Sequence, residues 1–358
     1  MEELKVYSIV EIVNTDSIRK KIIAYLDEVG IYLDLEYLAI NDIHESGETY
    51  VALLVDGNRW ISYPFIKRSF QYKGKTYADI TTPYEYGGEC AYHNDKELLY
   101  SFRQRFNQYC IEQNILTEFQ RIDPFSILHF DDDDNAEYLK VKENVVIDLE
   151  QSEDNIFSNY HKNNRRDIRL AKRNLVKVKR NAPSKSVVNE FKELYYSTMD
   201  AKNTTDYYYF NEDYFKALSA ISEDKMDVYT AHTEEGVLAS AALVLKKNRI
   251  AHYHLSGTNR SYTKLCATNL MLHEMAIHLK KEGYSYFHLG GAASSQEGLY
   301  RFKSKFSNDR KDYYVCKRIF DTKVYDELNQ QIIKDKELYN QTIDKGFFPL
   351  YRKLIEIT

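Results

Sequence analysis

The sequence contains little glycine, proline and cysteine, and each shortage excludes a class of structure. Only 13 of the 358 residues are glycine and 5 are proline, so a fibrous or linker-dominated chain is excluded. The four cysteines have no metal-binding spacing and are too few to crosslink a chain of this length, so we expect reduced thiols and no metal site. They are Cys90, Cys110, Cys266 and Cys316.

Long apolar segments are also absent. The sequence has no apolar run of about 18 residues, the length that a membrane-spanning helix needs. Its opening residues, MEELKVY, lack the basic and apolar stretches of a secretory signal, so we expect a cytoplasmic protein. Acidic residues outnumber basic ones by 54 to 49. This charge balance argues against a protein that binds nucleic acid over most of its surface, but it is compatible with a local basic patch.

The length of the chain favours two domains, because 358 residues exceed what one hydrophobic core usually holds. A hydrophobic content of 43% with 29% charged residues is typical of a folded protein. The 32 tyrosines are unusual. Tyrosine offers a flat apolar face with a polar tip, so either tyrosine-lined clefts or a general compositional bias explains them.

Hydrophobic periodicity predicts the same order of elements twice. The first half should contain a helix over residues 15–28, a hairpin over 48–66 turning at Asp56-Gly57, a helix capped by Asn94, and a strand over 115–122. The second half should contain helices over 187–197 and 214–221, strands over 228–231, 238–245 and 249–256, a helix over 264–281 that ends at Gly283, and a strand over 284–289.

This repetition predicts two tandem domains of mixed α/β (α+β) class, with mixed sheets flanked by helices. We place the first domain at residues 1–145 and the second at 146–320. Residues 321–358 should form a helical segment that packs back on the first domain. The acidic run at 131–135 is interpreted as a solvated turn near the boundary, because calcium loops alternate their ligands and include a glycine.

Six short segments, taken together, resemble the Fem-type peptidoglycan interpeptide-bridge aminoacyltransferases, a branch of the GNAT acyltransferase superfamily. They read TPYEYGG at 82–88, EFQRIDPF at 118–125, RRDIR at 165–169, HLSG at 254–257, YFHLGG at 286–291 and LYRFKSKF at 299–306. The resemblance implies two GNAT-like domains with a cleft between them. The first would lie on the acceptor side, and the second would carry out acyl transfer.

The same resemblance implies transfer of an aminoacyl group from charged tRNA to an amine of a nucleotide- or lipid-linked cell-envelope precursor. It implies no permanently bound cofactor, since the aminoacyl-tRNA is a co-substrate. Peripheral contact with the inner face of the membrane stays open.

A helix after Gly290-Gly291 carries the residues that best match acyl transfer. Leu299, Phe302 and Phe306 form an apolar stripe with Lys303 at its edge. Phe302 and Lys303 match the Phe-Lys pair of the Fem family's acyl-transfer site and are therefore the predicted catalytic residues. The alternative interpretation of Lys303 is a lysine that covers apolar surface with its aliphatic stem.

Other residues are predicted to bind substrate. Paired glycines would let the backbone approach an acyl ester closely, and the arginines belong to a basic segment suited to phosphate contact. The set is Tyr84, Tyr86, Gly87, Arg165, Arg166, Arg169, Tyr214, His254, Ser256, Gly290 and Gly291. His252, His254 and His288 are candidate proton acceptors, and none is singled out as the general base. Glu297 is interpreted as part of a helix cap with Ser294 rather than as a base.

Two departures from family patterns leave the substrates open. Where acetyl-CoA-dependent GNAT enzymes carry a glycine-rich pyrophosphate loop, this chain has Thr263 and Leu265, which disfavours coenzyme A. Peptidoglycan-building members carry a basic residue shortly before a Tyr-Phe pair. Here the pair is Tyr214-Phe215, and the residues before it are Tyr208-Tyr209-Phe210, so the standard muramyl precursor is in doubt. The alternatives are an acetyl-CoA-dependent N-acetyltransferase acting on an amino sugar of a surface polysaccharide, and a non-catalytic GNAT-like module that binds RNA or a lipid-linked precursor.

Overall fold

A computed structural model describes residues 3–26, 29–44, 47–91, 93–128, 136–202, 206–291, 297–338 and 347–353. The predicted acidic turn at 131–135 and Ser294 lie outside these residues. Within them the chain forms two compact units, one made of residues 1–141 and 313–358 and the other of residues 142–312. No helix in this part of the chain is long and apolar enough to cross a membrane.

The described residues form twelve strands and eleven α-helices, besides short 3-10 helices. The strands are β1 (Lys5–Ser8), β2 (Glu48–Asp56), β3 (Arg59–Tyr72), β4 (Lys75–Thr81), β5 (Ile115–Arg121), β6 (Ala136–Asp148), β7 (Lys177–Asn181), β8 (Met226–His232), β9 (Leu238–Lys247), β10 (Ile250–Thr258), β11 (Tyr286–Gly290) and β12 (Arg310–Ile319). The helices are α1 (Ile9–Asn14), α2 (Asp16–Leu26), α3 (Leu35–His44), α4 (Lys96–Glu112), α5 (Glu153–Asn159), α6 (Lys162–Arg173), α7 (Lys185–Lys202), α8 (Glu212–Leu218), α9 (Ala267–Lys281), α10 (Glu297–Lys303) and α11 (Thr322–Leu338).

In the first unit, the strands are ordered β1-β2-β3-β4-β5-β12. Neighbours are antiparallel except β4 and β5, which are parallel and are joined by α4, as a parallel pair requires. Phe102 and Phe106 of α4 pack on Tyr63 and Phe65 of the sheet. The helix is capped by Asp95, whose side chain accepts from the Leu98 amide at 2.9 Å; the expected cap, Asn94, lies one residue too early.

In the second unit, the order is β6-β11-β10-β9-β8-β7. Its parallel pair is β10 and β11, joined by α9, whose buried face packs on Ala251, Phe287 and Leu289. Helix α9 was expected from residue 264. It begins instead at Ala267, because residues Arg260–Leu265 form a separate 3-10 helix and Cys266 has φ +56°.

The two units repeat one plan, a set of antiparallel strands followed by a parallel pair that a helix connects. The predicted mixed class with helices flanking sheets is confirmed. Residues 313–320 were expected in the second domain, but β12 pairs with β5 from Val315 to Ile319 and so belongs to the first unit. In the tail, Leu328, Leu350 and Tyr351 pack against Phe70 and Leu116.

Candidate functional site

The parallel ladder of the second unit stops before its strands do. Strands β10 and β11 pair from Ile250 and Tyr286 to His252 and His288, yet β10 runs on to Thr258 and β11 to Gly290. We call the point after His252 and His288 the strand split. Backbone groups and side chains beyond it are placed to contact something other than the neighbouring strand.

Lys303 lies at the strand split. It is buried, with 8% of its surface exposed. Its Nζ donates to the carbonyl oxygen of Gly291 at 2.8 Å and lies 5.9 Å from the centre of the Tyr253 ring. The lysine therefore bridges the first residue of β10 after the ladder and the end of β11. An ammonium held by a hydrogen bond here has a fixed position, unlike the solvated tip of a surface lysine.

Aromatic packing fixes the helix that carries Lys303. Phe302 and Phe306 contact each other edge to face at 5.5 Å, and Phe306 packs on Tyr160 at 5.3 Å. The neighbouring cation Arg301 instead points to solvent and pairs with Glu297 at 2.9 Å. Lys303 is thus the buried cation that the apolar stripe predicts, while its catalytic role and that of Phe302 stay predictions.

The two glycines after β11 sit in a narrow place. Gly290 has φ +73°, a conformation that favours glycine. A Cβ on Gly291 would lie 2.7 Å from Oδ1 of Asn144 in β6. A side chain at residue 291 would therefore force the buried Asn144 side chain to shift, whereas the nearest backbone atom of β6, the Glu143 oxygen, would be 3.8 Å away.

Two histidines meet at the last rung of the ladder. His252 and His288 are register partners, so their side chains share a face, and their Nδ1 atoms are 3.0 Å apart. Burial, together with nearby His254, lowers the pKa of His252 to about 3. Burial also lowers the pKa of His288, and His252 and the Lys303 ammonium add to this effect. At neutral pH both imidazoles are uncharged.

A second polar pair lies further along β10. His254 Nε2 and Tyr214 Oη are 3.1 Å apart, and Tyr214 stacks on Phe210 at 4.2 Å. Tyr214 has no exposed surface, so in this conformation it positions His254 rather than offering a face to substrate. Ser256, by contrast, is only half-buried, and a hydrogen bond from it opposes the burial that raises the pKa of Tyr253 to about 12.

In the segment 259–266, where the sequence predicts that a GNAT enzyme would have its pyrophosphate loop, backbone amides donate hydrogen bonds to acceptors within the segment itself. The amide of Ser261 donates to Asn259 Oδ1 at 3.1 Å. The amide of Tyr262 donates to the Asn259 carbonyl at 3.1 Å, and that of Cys266 to the Thr263 carbonyl at 3.1 Å. Donors already satisfied in this way cannot also wrap a pyrophosphate.

The three predicted arginines of α6 differ in their surroundings. Arg165 donates to the carbonyl oxygens of Ser158 and Tyr160 at the end of α5. Arg166 and Arg169 are exposed; the first pairs with Asp167 at 2.8 Å and the second lies over a phenylalanine ring. Further exposed cations flank them on α6 and on the strand β7, namely Lys162, Lys172, Arg173, Lys177 and Lys179. We call this set, with Arg166 and Arg169, the basic surface.

The remaining predicted site residues lie in the first unit. Tyr84 and Tyr86 are buried. The Tyr84 carbonyl accepts from Tyr37 Oη at 3.2 Å, and the Tyr86 ring packs edge to face on Tyr313 at 5.4 Å. The Gly87 amide donates to the Arg121 carbonyl at 2.7 Å. All three have structural contacts, and their role in substrate binding stays a prediction.

The first unit also contains a buried charge cluster that the sequence analysis missed. Arg318 of β12 pairs with Glu118 of β5, and Arg103 of α4 pairs with Glu89 at 2.5 Å. Gln120 donates to Glu89 at 3.1 Å and to Glu118 at 2.8 Å. We call Glu89, Arg103, Glu118 and Arg318 together the buried charge cluster. Two cations balance two carboxylates, as burial of charge demands.

Sequence reasoning also left the histidine pair unassigned and missed Tyr253 and Asn144. A usable signal existed for the histidines. Two strands joined by a crossover helix are expected to be parallel neighbours, and each of these strands carries a histidine at its third residue. Asn144 offered no such signal, since it lies on β6, a strand that was not predicted.

Comparisons with known proteins agree with this geometry. Residues 158–304 match the Acetyltransferase (GNAT) domain family, which confirms the prediction of an acyltransferase. Among curated proteins, no sequence matches the chain significantly.

Solved structures resemble the chain at low sequence identity. The crystal structure of FemX is 11% identical over 81% of this chain and 92% of its own, with a TM-score of 0.59. The C-terminal domain of a putative lysylphosphatidylglycerol synthetase from Agrobacterium fabrum is 16% identical over 86% and 92%, with a TM-score of 0.55. L-PGS from Bacillus licheniformis is 16% identical over 78% and 87%, with a TM-score of 0.51. The predicted resemblance to the Fem-type branch is confirmed at the level of fold.

Proposed function

We propose that this chain transfers an aminoacyl group from charged tRNA to an amine of a cell-envelope precursor. In this reaction the amine attacks the ester carbonyl, a C–N bond forms as the C–O bond to the donor breaks, and a proton passes to the departing oxygen. Lys303, held at the strand split, stabilises the negative charge that develops on oxygen. Phe302 fixes the helix that carries it.

The observation that carries the choice of donor is the 3-10 helix at Arg260–Leu265. An acyl-CoA donor needs free amides to hold its pyrophosphate. Here Ser261, Tyr262 and Cys266 direct their amides to acceptors in the same segment. A donor that is bound elsewhere, through its phosphate backbone, avoids this requirement.

The basic surface supports a polyanionic donor. Exposed cations on one helix and the neighbouring strand match a run of phosphates, and such contacts hold nucleic acid without reading its sequence. Arg166 and Arg169 belong to this surface, whereas Arg165 is occupied by backbone carbonyls of α5. Arg165 therefore supports the surface indirectly.

The acceptor class follows from the similar structures. FemX and the two lysylphosphatidylglycerol synthetases share this fold, and the name of the latter indicates an envelope lipid as product. An amine of a nucleotide- or lipid-linked envelope precursor is the corresponding acceptor here. Because a basic residue is missing from Tyr208-Tyr209-Phe210, a sugar amine is the alternative to a muramyl peptide.

A second candidate is an acetyl-CoA-dependent N-acetyltransferase acting on an amino sugar. The match of residues 158–304 to an acetyltransferase domain family favours it. Both candidates use the same unit and the same lysine, and they differ in the donor.

Two binding measurements separate the candidates. Calorimetric titration with acetyl-CoA should give a Kd no tighter than about 1 mM, or about −4 kcal/mol. Filter binding should detect a complex with charged tRNA that weakens as salt rises. Micromolar acetyl-CoA affinity together with acetylation of an amino sugar would establish the second candidate instead.

Matched charge variants test the basic surface. The double variant Arg166→Ala/Arg169→Ala should weaken tRNA binding and flatten its salt dependence. Arg19→Ala/Lys20→Ala removes two exposed charges from α2 of the first unit and should change neither. If both variants behave alike, general charge rather than the basic surface attracts the donor.

A further inference from the structure

The strand split begins at one pair of side chains. His252 and His288 are the last paired residues of the β10–β11 ladder, and beyond them the two strands no longer pair. Their rings meet at right angles with centres 5.1 Å apart, and the Nδ1 atoms are 3.0 Å apart. A side-chain contact thus stands where the backbone hydrogen bonds end.

This contact needs one hydrogen between the two rings. Two lone pairs or two protons would repel at 3.0 Å, so one Nδ1 carries a hydrogen and donates to the other, whose ring must be neutral and carry its hydrogen on Nε2. The lowered pKa values of His252 and His288 leave the donating ring neutral as well near pH 7, and its Nε2 is then without a hydrogen.

We propose that His252 and His288 form a histidine clasp that sets the width of the strand split and so positions Lys303. The lysine bonds to Gly291, three residues after His288, and lies over Tyr253, the residue after His252. These two contacts lie one residue after His252 and three residues after His288. A shift of one strand against the other would move the ammonium away from the reacting carbonyl.

A hydrogen bond suits this task better than an apolar contact of the same size. Apolar packing tolerates small slips, whereas a buried hydrogen bond has a preferred distance and direction and leaves two unsatisfied groups if it breaks. The clasp residues touch neither substrate nor reacting atoms in this assignment. They are positioning residues, and the catalytic group remains Lys303.

The first experiment needs no substrate and no variant. Nitrogen-15 NMR of histidine-labelled protein should show His252 and His288 neutral near pH 7, one protonated on Nδ1 and the other on Nε2. Finding both rings protonated on Nε2, or either ring charged, would overturn the clasp. Because this measurement involves no acyl donor, it stands whether or not the proposed function is correct.

The second experiment, which rests on the proposed function, compares replacements of His288. Asparagine places a hydrogen-bonding atom near the position of Nδ1, whereas leucine does not. His288→Leu should lower kcat about tenfold or more, the scale for a small misplacement of a catalytic group, while KM for charged tRNA stays within about twofold. His288→Asn should restore most of the kcat.

A matched control separates positioning from general damage. His273 is another buried histidine of the second unit, and it contacts Tyr160 at 3.5 Å. His273→Leu should lower stability and leave kcat per folded molecule nearly unchanged. Equal losses of kcat in His288→Leu, His288→Asn and His273→Leu would show that the clasp has only a structural role.

A double variant tests whether the two histidines act as one unit. His252→Leu should match His288→Leu, and the combination should cost no more than either alone, since each change already breaks the same bond. Additive losses would refute the clasp. If the unaltered protein transfers no aminoacyl group at all, the proposed function fails, and the NMR result alone decides the clasp.

Discussion

Each unit contains one pair of parallel strands, and the two pairs end differently. Strands β4 and β5 pair through Thr81 and Phe119. The chain after β4 then stays attached to β5, because Arg121 donates to the Thr82 carbonyl at 2.9 Å and Gly87 bridges to Ile122. Strands β10 and β11 stop pairing at His252 and His288, although both continue.

The difference shows how one plan serves two purposes. In the first unit the backbone after β4 fills the space beyond the ladder. The buried charge cluster lies among β5, β12 and α4. In the second unit the strands part, and a lysine is held where they do. The proposed acyl-transfer site therefore lies where the parallel pair of the second unit opens.

The largest effect should come from breaking the buried charge cluster. Arg318→Ala removes the cation in direct contact with the buried Glu118 and leaves only Arg103, 3.8 Å away, so we expect the free energy of unfolding to fall by about 3–5 kcal/mol. Urea denaturation measures this loss. Lys317→Ala on the same strand, which removes a half-buried lysine, should cost less than about 1 kcal/mol.

The same variant sharpens the comparison between the units. Turnover per folded Arg318→Ala molecule should match that of the unaltered protein, because the proposed reaction does not use the buried charge cluster. A specific loss of turnover without loss of stability would mean that the first unit is more than a scaffold.

Next in size is Lys303→Ala. It should lower kcat at least about a hundredfold, the scale for one oxyanion-stabilising group, while the melting temperature changes little. Lys246→Ala is a control, since Lys246 is also buried but pairs with Asp227 at 2.8 Å; there we expect a stability loss with turnover retained. Full activity in Lys303→Ala would reduce the lysine to a packing residue.

A smaller effect should follow from closing the gap between β10 and α7. A Cβ on Gly257 would lie 2.9 Å from the backbone of Leu194, so Gly257→Ala should destabilise by about 1–3 kcal/mol and push the end of β10 outward. Thermal unfolding measures the change. Gly298→Ala in α10 meets no atom within 4 Å and should be neutral or slightly stabilising.

The smallest expected effect, counted per histidine, is the loss of stability at acidic pH. The pKa of His273 is lowered to about 4 by burial, and His252 and His288 are also lowered. Below about pH 6.5 the unfolded chain therefore binds more protons than the folded chain. The full contribution of these histidines to the free energy of unfolding is present above that pH. As the pH falls, the free energy of unfolding decreases by about 1.4 kcal/mol per pH unit for each histidine.

Hydrogen exchange at pH 7 and 5.5 can localise this effect. Amides of the second unit should lose protection first, because all three histidines lie there. His273→Asn should make the pH dependence of unfolding shallower. An identical pH dependence in the variant would show that carboxylates dominate.

Much of this fold was predictable because its signals are local. The stripe of α4, the Asp56-Gly57 hairpin and the glycine after α9 depend on residues within one or two turns of each other. The burial of Lys303 followed from the same periodicity. Element order then predicted the repeated plan.

The remaining features depend on distant partners and had no local signal. Strand β6 is charged and irregular in pattern, and β12 pairs with a strand 200 residues earlier. Arg318 looked like a surface cation in sequence, because the carboxylate that neutralises it lies far away in the chain. Pairings of this kind are selected by the assembled sheet rather than by propensity.

The placement of β12 also sets an order of events during synthesis. Translation at about 5–20 residues per second delivers Arg318 tens of seconds after Glu118, which precedes it by 200 residues. The second unit, residues 142–312, emerges complete in that interval. The unit whose first residues are synthesised first is therefore completed last. Until β12 has been synthesised, the edge of β5 has no pairing partner. Loss of residues 313–358 would remove from the first unit the residues of β12 that pair with β5, and would leave residues 142–312, which carry Lys303, intact.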